Sequence, residues 1–376
     1  MVQRESILEN KDIIPFFGVD RQYMSLREEL RDITDQVLRT GKVLDGNFTR
    51  YFEQNMASRC NRAHAIAVGS CTQALIFAST IGLYTDGKVL IPSLSFAATL
   101  NSVLMAGREP VFCDTDANGL MDLESIDFAL AGAGVNMIMY ANLWGHVIDW
   151  DRFRLQTEFF NRDMFIIEDA AQSFGARYKG QPSGSLGHIS CLSFDPTKNL
   201  NNYGSGGMIL TDDDGVAAAM ENLRDNGKPG GHHDIGTNSK MSEVDCAQML
   251  VKLGHFDAWQ DRRTDIASYY IDQLSSYVDC ILPGEHVESA WSKFVIRLAS
   301  RHALKSHLAN NGIETKINYD KPLYELPVGY EYVDYANNPY VESYAFSREC
   351  LSLPIYPELT DGEVERIVET VKQFLR

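Results

Sequence analysis

The chain has 376 residues, 44% of them hydrophobic, and its 34 Lys and Arg residues are outnumbered by 51 Asp and Glu residues, giving a formal net charge of −17 at pH 7. This length permits a large core and favours two closely packed domains, because no polar or Pro/Gly-rich linker divides the chain. The negative charge argues against nucleic acid or an anionic membrane surface as a partner.

The cysteines and the hydropathy pattern indicate the compartment. The seven Cys residues are scattered and contain no C-x-x-C pair, so we expect reduced thiols and no metal site. The N-terminus lacks a basic start followed by an apolar block, and no apolar run reaches the roughly 18 residues of a membrane span. The sequence therefore predicts a soluble, cytoplasmic protein.

Short apolar runs alternate with helical stretches from residue 63 onward. Each crossover must carry the chain back over a sheet face, so the alternation predicts a buried, mostly parallel sheet in an α/β fold. A further strand, MFIIED, ends at Asp169 and is followed by a polar turn. The predicted strand and helix pairs are AHAIAV with CTQALIFASTIGL, KVLIP with FAATLNSVLMAG, PVFCD with LESIDFAL, and VNMIMY with DRFRLQTEFF.

The pattern changes after about residue 245. CAQMLVKLGHFDAWQDRRTDIASYYIDQL predicts a long helix, KFVIRLAS a strand, and ALKSHLANNG a helix that ends at Gly312. VERIVETVKQFL closes the chain as an amphipathic helix. We expect a large domain over residues 1–250 and a small C-terminal α/β domain over residues 251–376.

Ligands of open α/β sheets collect at the carboxyl ends of the strands. After AIAV, the segment Gly69-Ser-Cys-Thr72 turns from a strand into a helix, where free N–H groups suit a phosphate or form a plain helix cap. Asp169 directly follows a strand, and a desolvated carboxylate there needs a partner. An arginine, a metal or the protonated ring nitrogen of a cofactor would serve.

Lys198 lies between two predicted strands, HISCLSF and GGMILT, in a loop rich in Asn and Gly. Loop lysines are usually solvated, and this segment matches neither G-x-x-x-x-G-K-[ST] nor G-x-G-x-x-G. A phosphate site, a buried carboxylate and a lysine at one sheet edge together suggest pyridoxal phosphate. That cofactor needs a phosphate site, an acid beside its pyridine nitrogen and a lysine that forms a Schiff base with its aldehyde.

Several segments carry a family resemblance that runs from about Ile14 to the C-terminus. IIEDAAQSFGARYKGQPSGSLGHISCLSFDPTKNL, YGSGGMI and RECLSLPIYPELT resemble the DegT/DnrJ/EryC1/StrS family of sugar aminotransferases. The resemblance implies fold type I of the pyridoxal phosphate enzymes, which is aspartate aminotransferase-like. This fold has a large domain with a seven-stranded, mostly parallel sheet and a small C-terminal α/β domain.

The resemblance also implies roles for individual residues. Lys198 matches the lysine that binds the cofactor and moves the proton, and Asp169 matches the acid at the pyridine nitrogen. Gln172 matches a contact to the ring's phenolic oxygen. The other matches are Phe96 on the ring face, Cys71, Thr72 and Ser193 at the phosphate, and Asn238 reaching the phosphate of the neighbouring subunit in a homodimer.

Two segments depart from the family pattern near the substrate. In TNSKMSE, Ser239 and Lys240 replace an aromatic residue and an arginine, and in INYDKPL, Asn318 replaces a histidine before Tyr319. Lysine lacks the planar, two-pronged grip of arginine, so the change bears on substrate identity. Lys240, Asn318, Tyr319 and, more weakly, His146 are the candidate substrate contacts.

The resemblance implies transfer of an amino group from L-glutamate to a keto sugar, through pyridoxamine phosphate as the intermediate cofactor form. The acceptor is expected to be a nucleotide-activated keto-deoxy sugar, with a free keto-sugar acid such as an 8-oxo octulosonate as the alternative. A pyridoxal phosphate-binding regulator without turnover is the alternative from another class, and Lys198, Asp169 and Gln172 argue against it. The lysine also argues against the branch of the family that carries histidine there and removes a sugar hydroxyl.

Overall fold

The computed structural model describes residues 13–81, 87–126, 134–160, 164–233, 235–334 and 339–376. The second half of the predicted helix LESIDFAL and the end of CTQALIFASTIGL lie outside these residues. The described strands are β1 (His64–Val68), β2 (Lys88–Pro92), β3 (Pro110–Cys113), β4 (Val135–Ala141), β5 (Phe165–Asp169), β6 (Arg177–Tyr178), β7 (Gln181–Pro182), β8 (Ile189–Ser193), β9 (Gly207–Thr211), β10 (Asp279–Cys280), β11 (Val287–Glu288), β12 (Phe294–Arg297) and β13 (Cys350–Leu353). The described α-helices are α1 (Val19–Thr40), α2 (Asn47–Arg59), α3 (Cys71–Ile81), α4 (Ala97–Met105), α5 (Trp150–Phe160), α6 (Asp214–Arg224), α7 (Glu243–Leu274), α8 (Arg301–Asn310), α9 (Val341–Glu349) and α10 (Asp361–Leu375).

The central sheet has seven strands in the order β1-β9-β8-β5-β4-β2-β3. β9 runs antiparallel to both of its neighbours, and the other pairings are parallel. The predicted seven-stranded, mostly parallel sheet is therefore confirmed. In the register of β5 with β8, Asp169 lies opposite Cys191, so the end of β5 and the loop after β8 meet at one sheet edge.

The long helix α7 connects the two parts of the chain. It begins at Glu243, three residues before the predicted start, because the Ser242 hydroxyl caps it by accepting a hydrogen bond from Asp245 N at 3.0 Å. Both α1 and α2 pack against α7. The predicted division between residues 250 and 251 falls inside this helix, and it stays a prediction.

A second hydrophobic core lies under the small sheet β10-β12-β13. It combines the C-terminal half of α7 with α8 and α10, through buried residues such as Ile266, Leu304 and Ile367. Ile14, from the other end of the chain, is buried in the same core and pairs with Ile313 in an isolated parallel bridge. Both ends of the described chain therefore contribute to this core.

The aromatic segment 324–340 contributes to the core of the main sheet. The rings of Tyr324 and Tyr340 stack with centroids 4.7 Å apart, and both pack edge-on against Phe112. Residues 335–338 of this segment lie outside the described residues. No described helix is both long and apolar enough to cross a membrane.

Candidate active site

A cavity of about 260 Å³ opens at the carboxyl edge of the central sheet. It brings together residues from strand ends, the loop after β8 and the segment before α9, which lie far apart in the chain. Nine of the predicted site residues line it, namely Cys71, Thr72, Phe96, Asp169, Gln172, Ser193, Lys198, Asn318 and Tyr319.

One end of the cavity is the N-terminus of α3. The Ser70 hydroxyl accepts a hydrogen bond from Gln73 N at 3.1 Å, and the first N–H groups of the helix form a site suited to an anion. Burial raises the pKa of the Cys71 thiol well above its usual value, so the residue is neutral there. Gly207 packs closely on this turn, since a Cβ at its position would lie 2.5 Å from Cys71 N.

Asp169 ends β5 and is 7% exposed. Its carboxylate accepts hydrogen bonds from Thr99 Oγ1 at 3.0 Å and from Ala171 N at 3.2 Å. Burial raises the pKa of this carboxyl group, although these two hydrogen bonds and Lys198 act in the opposite direction. The carboxylate is therefore suited to a cationic partner in the cavity.

Glu168 points to the other side of β5, as the alternation of strand side chains predicts. Its fully buried carboxylate accepts hydrogen bonds from Ser190 Oγ at 2.6 Å, Ser183 Oγ at 2.7 Å and the N–H of Leu186 at 3.0 Å. This carboxylate anchors the loop between β7 and β8 and does not line the cavity.

Lys198 reaches the cavity from a turn in which its backbone N–H donates to Asp195 O at 2.9 Å. The Asp195 carboxylate is engaged within the same turn, where it accepts from Thr197 N at 3.0 Å and from Thr197 Oγ1 at 2.6 Å. Within the described residues, the amine of Lys198 has no hydrogen-bond partner. Its Nζ is therefore available to a molecule in the cavity.

Gln172 links two further side chains in the cavity. Its Nε2 donates to the Tyr319 hydroxyl at 2.9 Å, and its Oε1 accepts from Lys293 Nζ at 3.0 Å. The Phe96 ring is 56% exposed, and its centroid lies 6.0 Å from that of Tyr319. An apolar ring surface of this kind suits a flat aromatic ligand.

Sequence reasoning missed three residues of this site. Lys293 was included only as the first residue of a predicted strand, and Thr99 and Lys316 were not singled out. Lys293 is 5% exposed and Lys316 lines the same cavity. No local signal distinguishes a buried lysine from a solvated one, but Thr99 lies in the predicted helix FAATLNSVLMAG, three residues after Phe96.

Three other candidates do not line the cavity of this chain. Lys240 pairs with Asp225 at 2.6 Å and with Asp45 at 3.3 Å. His146 is buried, where its Nδ1 lies 2.9 Å from Ser289 Oγ and burial lowers its pKa to about 4. Asn238 is exposed, as a contact to a neighbouring subunit requires, and that role stays a prediction.

The donor set fits pyridoxal phosphate. The helix N-terminus at Cys71 offers N–H groups to a phosphate, the exposed face of Phe96 matches a pyridine ring, and Asp169 offers a buried carboxylate to a protonated ring nitrogen. Lys198 offers an amine without a hydrogen-bond partner among the described residues. These four features lie in one cavity.

Several known proteins are similar to this chain in sequence and fold. The chain is 32% identical to a "Pleiotropic regulatory protein" of Geobacillus stearothermophilus, over 96% of this chain and 99% of that protein. It is 31% identical to the dTDP-3-amino-3,4,6-trideoxy-alpha-D-glucose transaminase of Streptomyces venezuelae, over 96% of both chains. The crystal structure of NtdA from Bacillus subtilis with bound cofactor PMP superposes with a TM-score of 0.87 at 25% identity, over 97% of this chain and 85% of that chain.

A sequence model of the DegT/DnrJ/EryC1/StrS aminotransferase family matches residues 24–372. The match covers nearly the whole described chain, including every residue of the cavity except Phe17. It agrees with the seven-stranded sheet and with the cofactor-binding donor set. The chain therefore belongs to the DegT/DnrJ/EryC1/StrS family, and it is a pyridoxal phosphate-dependent aminotransferase of fold type I.

Proposed function

We propose that this protein transfers the amino group of L-glutamate to a keto sugar during the synthesis of an amino sugar for a surface polysaccharide. The proposed acceptor is a nucleotide-activated keto-deoxy sugar, in line with the name of the transaminase relative from Streptomyces venezuelae. One observation carries the proposal: Lys198 and the buried carboxylate of Asp169 line the same cavity. Among the described residues, the amine of Lys198 has no hydrogen-bond partner.

The chemistry divides between the cofactor and the chain. Bound pyridoxal phosphate supplies an aldehyde that takes up the amino group and a ring that accepts the electron pair left when a C–H bond breaks. The buried Asp169 carboxylate holds a proton at the ring nitrogen, because an ion pair offsets the desolvation of both groups. The N–H groups at the start of α3 hold the phosphate.

Lys198 has two functions in this proposal. Its Nζ holds the cofactor until the donor amine replaces it. The released Nζ then takes the proton from the Cα of the donor, and in the second half-reaction it gives a proton to the former carbonyl carbon of the acceptor. The two half-reactions use one site in turn, so the kinetics are expected to be ping-pong.

The test follows the visible absorption of the cofactor-loaded protein before and after addition of L-glutamate without an acceptor, together with release of 2-oxoglutarate. We expect the wild type to release one 2-oxoglutarate per site, with a matching change in the spectrum. Lys198→Ala removes the amine and is expected to abolish both signals. Lys42→Ala, which changes an exposed lysine that does not line the cavity, is the matched control.

Two results would contradict the proposal. A spectrum that does not respond to L-glutamate would exclude this donor, and a Lys198→Ala variant with wild-type release of 2-oxoglutarate would exclude the role of the lysine. The acceptor is then tested by supplying glutamate-loaded protein with nucleotide-linked keto sugars and with free keto-sugar acids. If only the free keto-sugar acids are turned over, the acceptor is a free acid and not a nucleotide-linked sugar.

A further inference from the structure

The cavity contains two lysines to which cofactor binding assigns no role. Three lysines line it, Lys198, Lys293 and Lys316, in a chain whose overall charge is −17. Its two aspartates accept hydrogen bonds from neutral donors, Asp169 from a hydroxyl and a backbone N–H and Asp195 from Thr197 in its own turn. Among the described residues, neither Lys293 nor Lys316 takes part in an ion pair.

Lys293 has a polar partner but no counter-charge in contact. Its Nζ donates to Gln172 Oε1 at 3.0 Å, and the side chain is 5% exposed. Burial lowers the pKa of this ammonium well below its usual value, and the charges of Lys198, Arg263 and Lys316 lower it further, whereas the charge of Asp195 acts in the opposite direction. A buried cation that lacks a bound anion is unfavourable, so an anionic ligand beside Lys293 would offset this cost.

Lys316 is an exposed residue that lines the same cavity. Its backbone is fixed by two hydrogen bonds with Ser352, of 3.2 Å and 2.7 Å. Its Nζ lies 4.5 Å from the ring centroid of Phe17 and 5.5 Å from that of Phe16. The two rings hold the ammonium group at the cavity wall without neutralising its charge.

We infer that Lys293 and Lys316 form a carboxylate-binding pair in the substrate part of the cavity. The inference rests on the proposed function and adds to that function the charged group that the substrate presents. The phosphate of the cofactor does not account for the pair, because the proposed phosphate site is the start of α3, and neither lysine has a hydrogen bond to that turn. The carboxylate belongs either to the amino donor or to the sugar acceptor.

Binding of unreactive probes to the cofactor-loaded protein tests the pair directly by calorimetry. Glutarate represents the donor and glucuronate represents a sugar acid, with glutaramide and glucose as their uncharged counterparts. Loss of a charge-assisted hydrogen bond is expected to weaken binding about tenfold or more in Lys293→Met and Lys316→Met. Lys321→Met, at an exposed lysine five residues after Lys316, is expected to bind the probes as the wild type does.

The two probes distinguish the sources of the carboxylate. Weaker binding of glutarate alone assigns the pair to the donor, and weaker binding of glucuronate alone assigns it to the acceptor. Each variant must show the wild-type absorption of bound cofactor, which establishes that the cavity is intact. If Lys293→Met lacks this absorption, the affinity of Lys316→Met for the probes tests the pair. Lys293→Arg and Lys316→Arg, which keep the charge, are expected to recover part of the lost affinity.

The inference and the proposed function can fail separately. Equal affinity of both Met variants and the wild type for both probes would overturn the carboxylate-binding pair, as would a wild type that prefers neither acid to its uncharged counterpart. A wild type that binds glutarate through these lysines but does not react with L-glutamate would keep the pair and overturn the proposed donor.

Discussion

Asp169 combines a functional charge with a cost in stability. Its carboxylate is buried and accepts hydrogen bonds from two donors, Thr99 Oγ1 and Ala171 N. Burial raises the pKa of this carboxyl group. Between the pKa of the unfolded chain and the higher pKa of the folded one, the folded chain binds more protons, so its stability falls as the pH rises through that window. The bound cofactor removes this cost by supplying a positive partner.

We therefore expect Asp169→Asn to separate stability from activity. The amide keeps the shape without the charge, so the cofactor-free variant should unfold at a temperature equal to or above that of the wild type at neutral pH. The rate of the half-reaction with L-glutamate should fall ~100-fold or more, because a stabilising charge beside the ring is lost. Thermal unfolding without cofactor and stopped-flow absorbance with L-glutamate measure the two effects.

Asp261→Asn, at an exposed position on α7, is the control for loss of a carboxylate. A cofactor-free Asp169→Asn protein that is clearly less stable than the wild type would show that the carboxylate is stabilising in the folded chain. A half-reaction rate within a few-fold of the wild type would remove Asp169 from the proposed chemistry.

The sequence predicted the residues whose position follows from a strand end, and it missed those placed by long-range packing. Asp169 could be found because it ends an apolar run, Lys198 because it lies in the loop between two predicted strands, and the family motifs include both. Lys293 could not, because only the folded chain places it behind Gln172 and buries it. His146 shows the opposite case. Its position in the sequence, close to a strand end, suggested a substrate contact, but its side chain packs against Ser289 and does not line the cavity.

The contact between β9 and the start of α3 gives the anion site its shape. A Cβ at Gly207 would lie 2.4 Å from the carbonyl carbon of Ser70 and 2.5 Å from Cys71 N, both backbone atoms. These atoms cannot move without shifting the helix N-terminus that faces the cavity. Glycine is therefore required here for the close approach of two backbones.

Gly207→Ala is expected to destabilise the chain by ~1–3 kcal/mol through overpacking and to weaken cofactor binding. Gly204→Ala is the matched control, since its Cβ would meet only Asn202 Nδ2, at 3.7 Å. Urea unfolding of the cofactor-free proteins and titration with pyridoxal phosphate measure the two effects. Equal cofactor affinity in the two variants would mean that the start of α3 does not hold the phosphate.

At the level of elements, periodicity predicted the parallel strands and the long helix well. The strands of AHAIAV, KVLIP and MFIIED appear as β1, β2 and β5, and their short length is what favours a strand over a buried helix. The helices α1 and α2, by contrast, precede the region where alternation gives a signal. Both pack on α7, a partner that lies far along the chain and that local sequence does not reveal.

The homodimer predicted from the family resemblance can be tested by complementation. Lys198 lines the cavity of its own chain, whereas Asn238 is exposed and does not line it. If Asn238 completes the cavity of a partner subunit, a dimer of one Lys198→Ala chain and one Asn238→Ala chain has one intact site. Random mixing of the two inactive proteins should then recover about a quarter of the wild-type sites.

Activity of the mixture is measured after unfolding and refolding the two proteins together, with each refolded alone as the control. No recovery, in a mixture shown to be dimeric by sedimentation, would place both residues in the same site. A monomeric wild type would refute the dimer itself.

Ile14 is buried in the C-terminal core, so this core can form only after the C-terminal residues that surround Ile14 have been synthesised. The next residues, Phe16 and Phe17, hold Lys316 at the cavity wall, and Phe16 N donates to Glu314 Oε2 across 298 positions of the chain. At ribosomal rates of roughly 5–20 residues per second, Phe16 waits on the order of 15–60 s for the synthesis of Glu314. The cavity wall cannot close before residue 316 leaves the ribosome, so until then a nascent chain exposes Lys198 and its neighbours to solvent and to free cofactor.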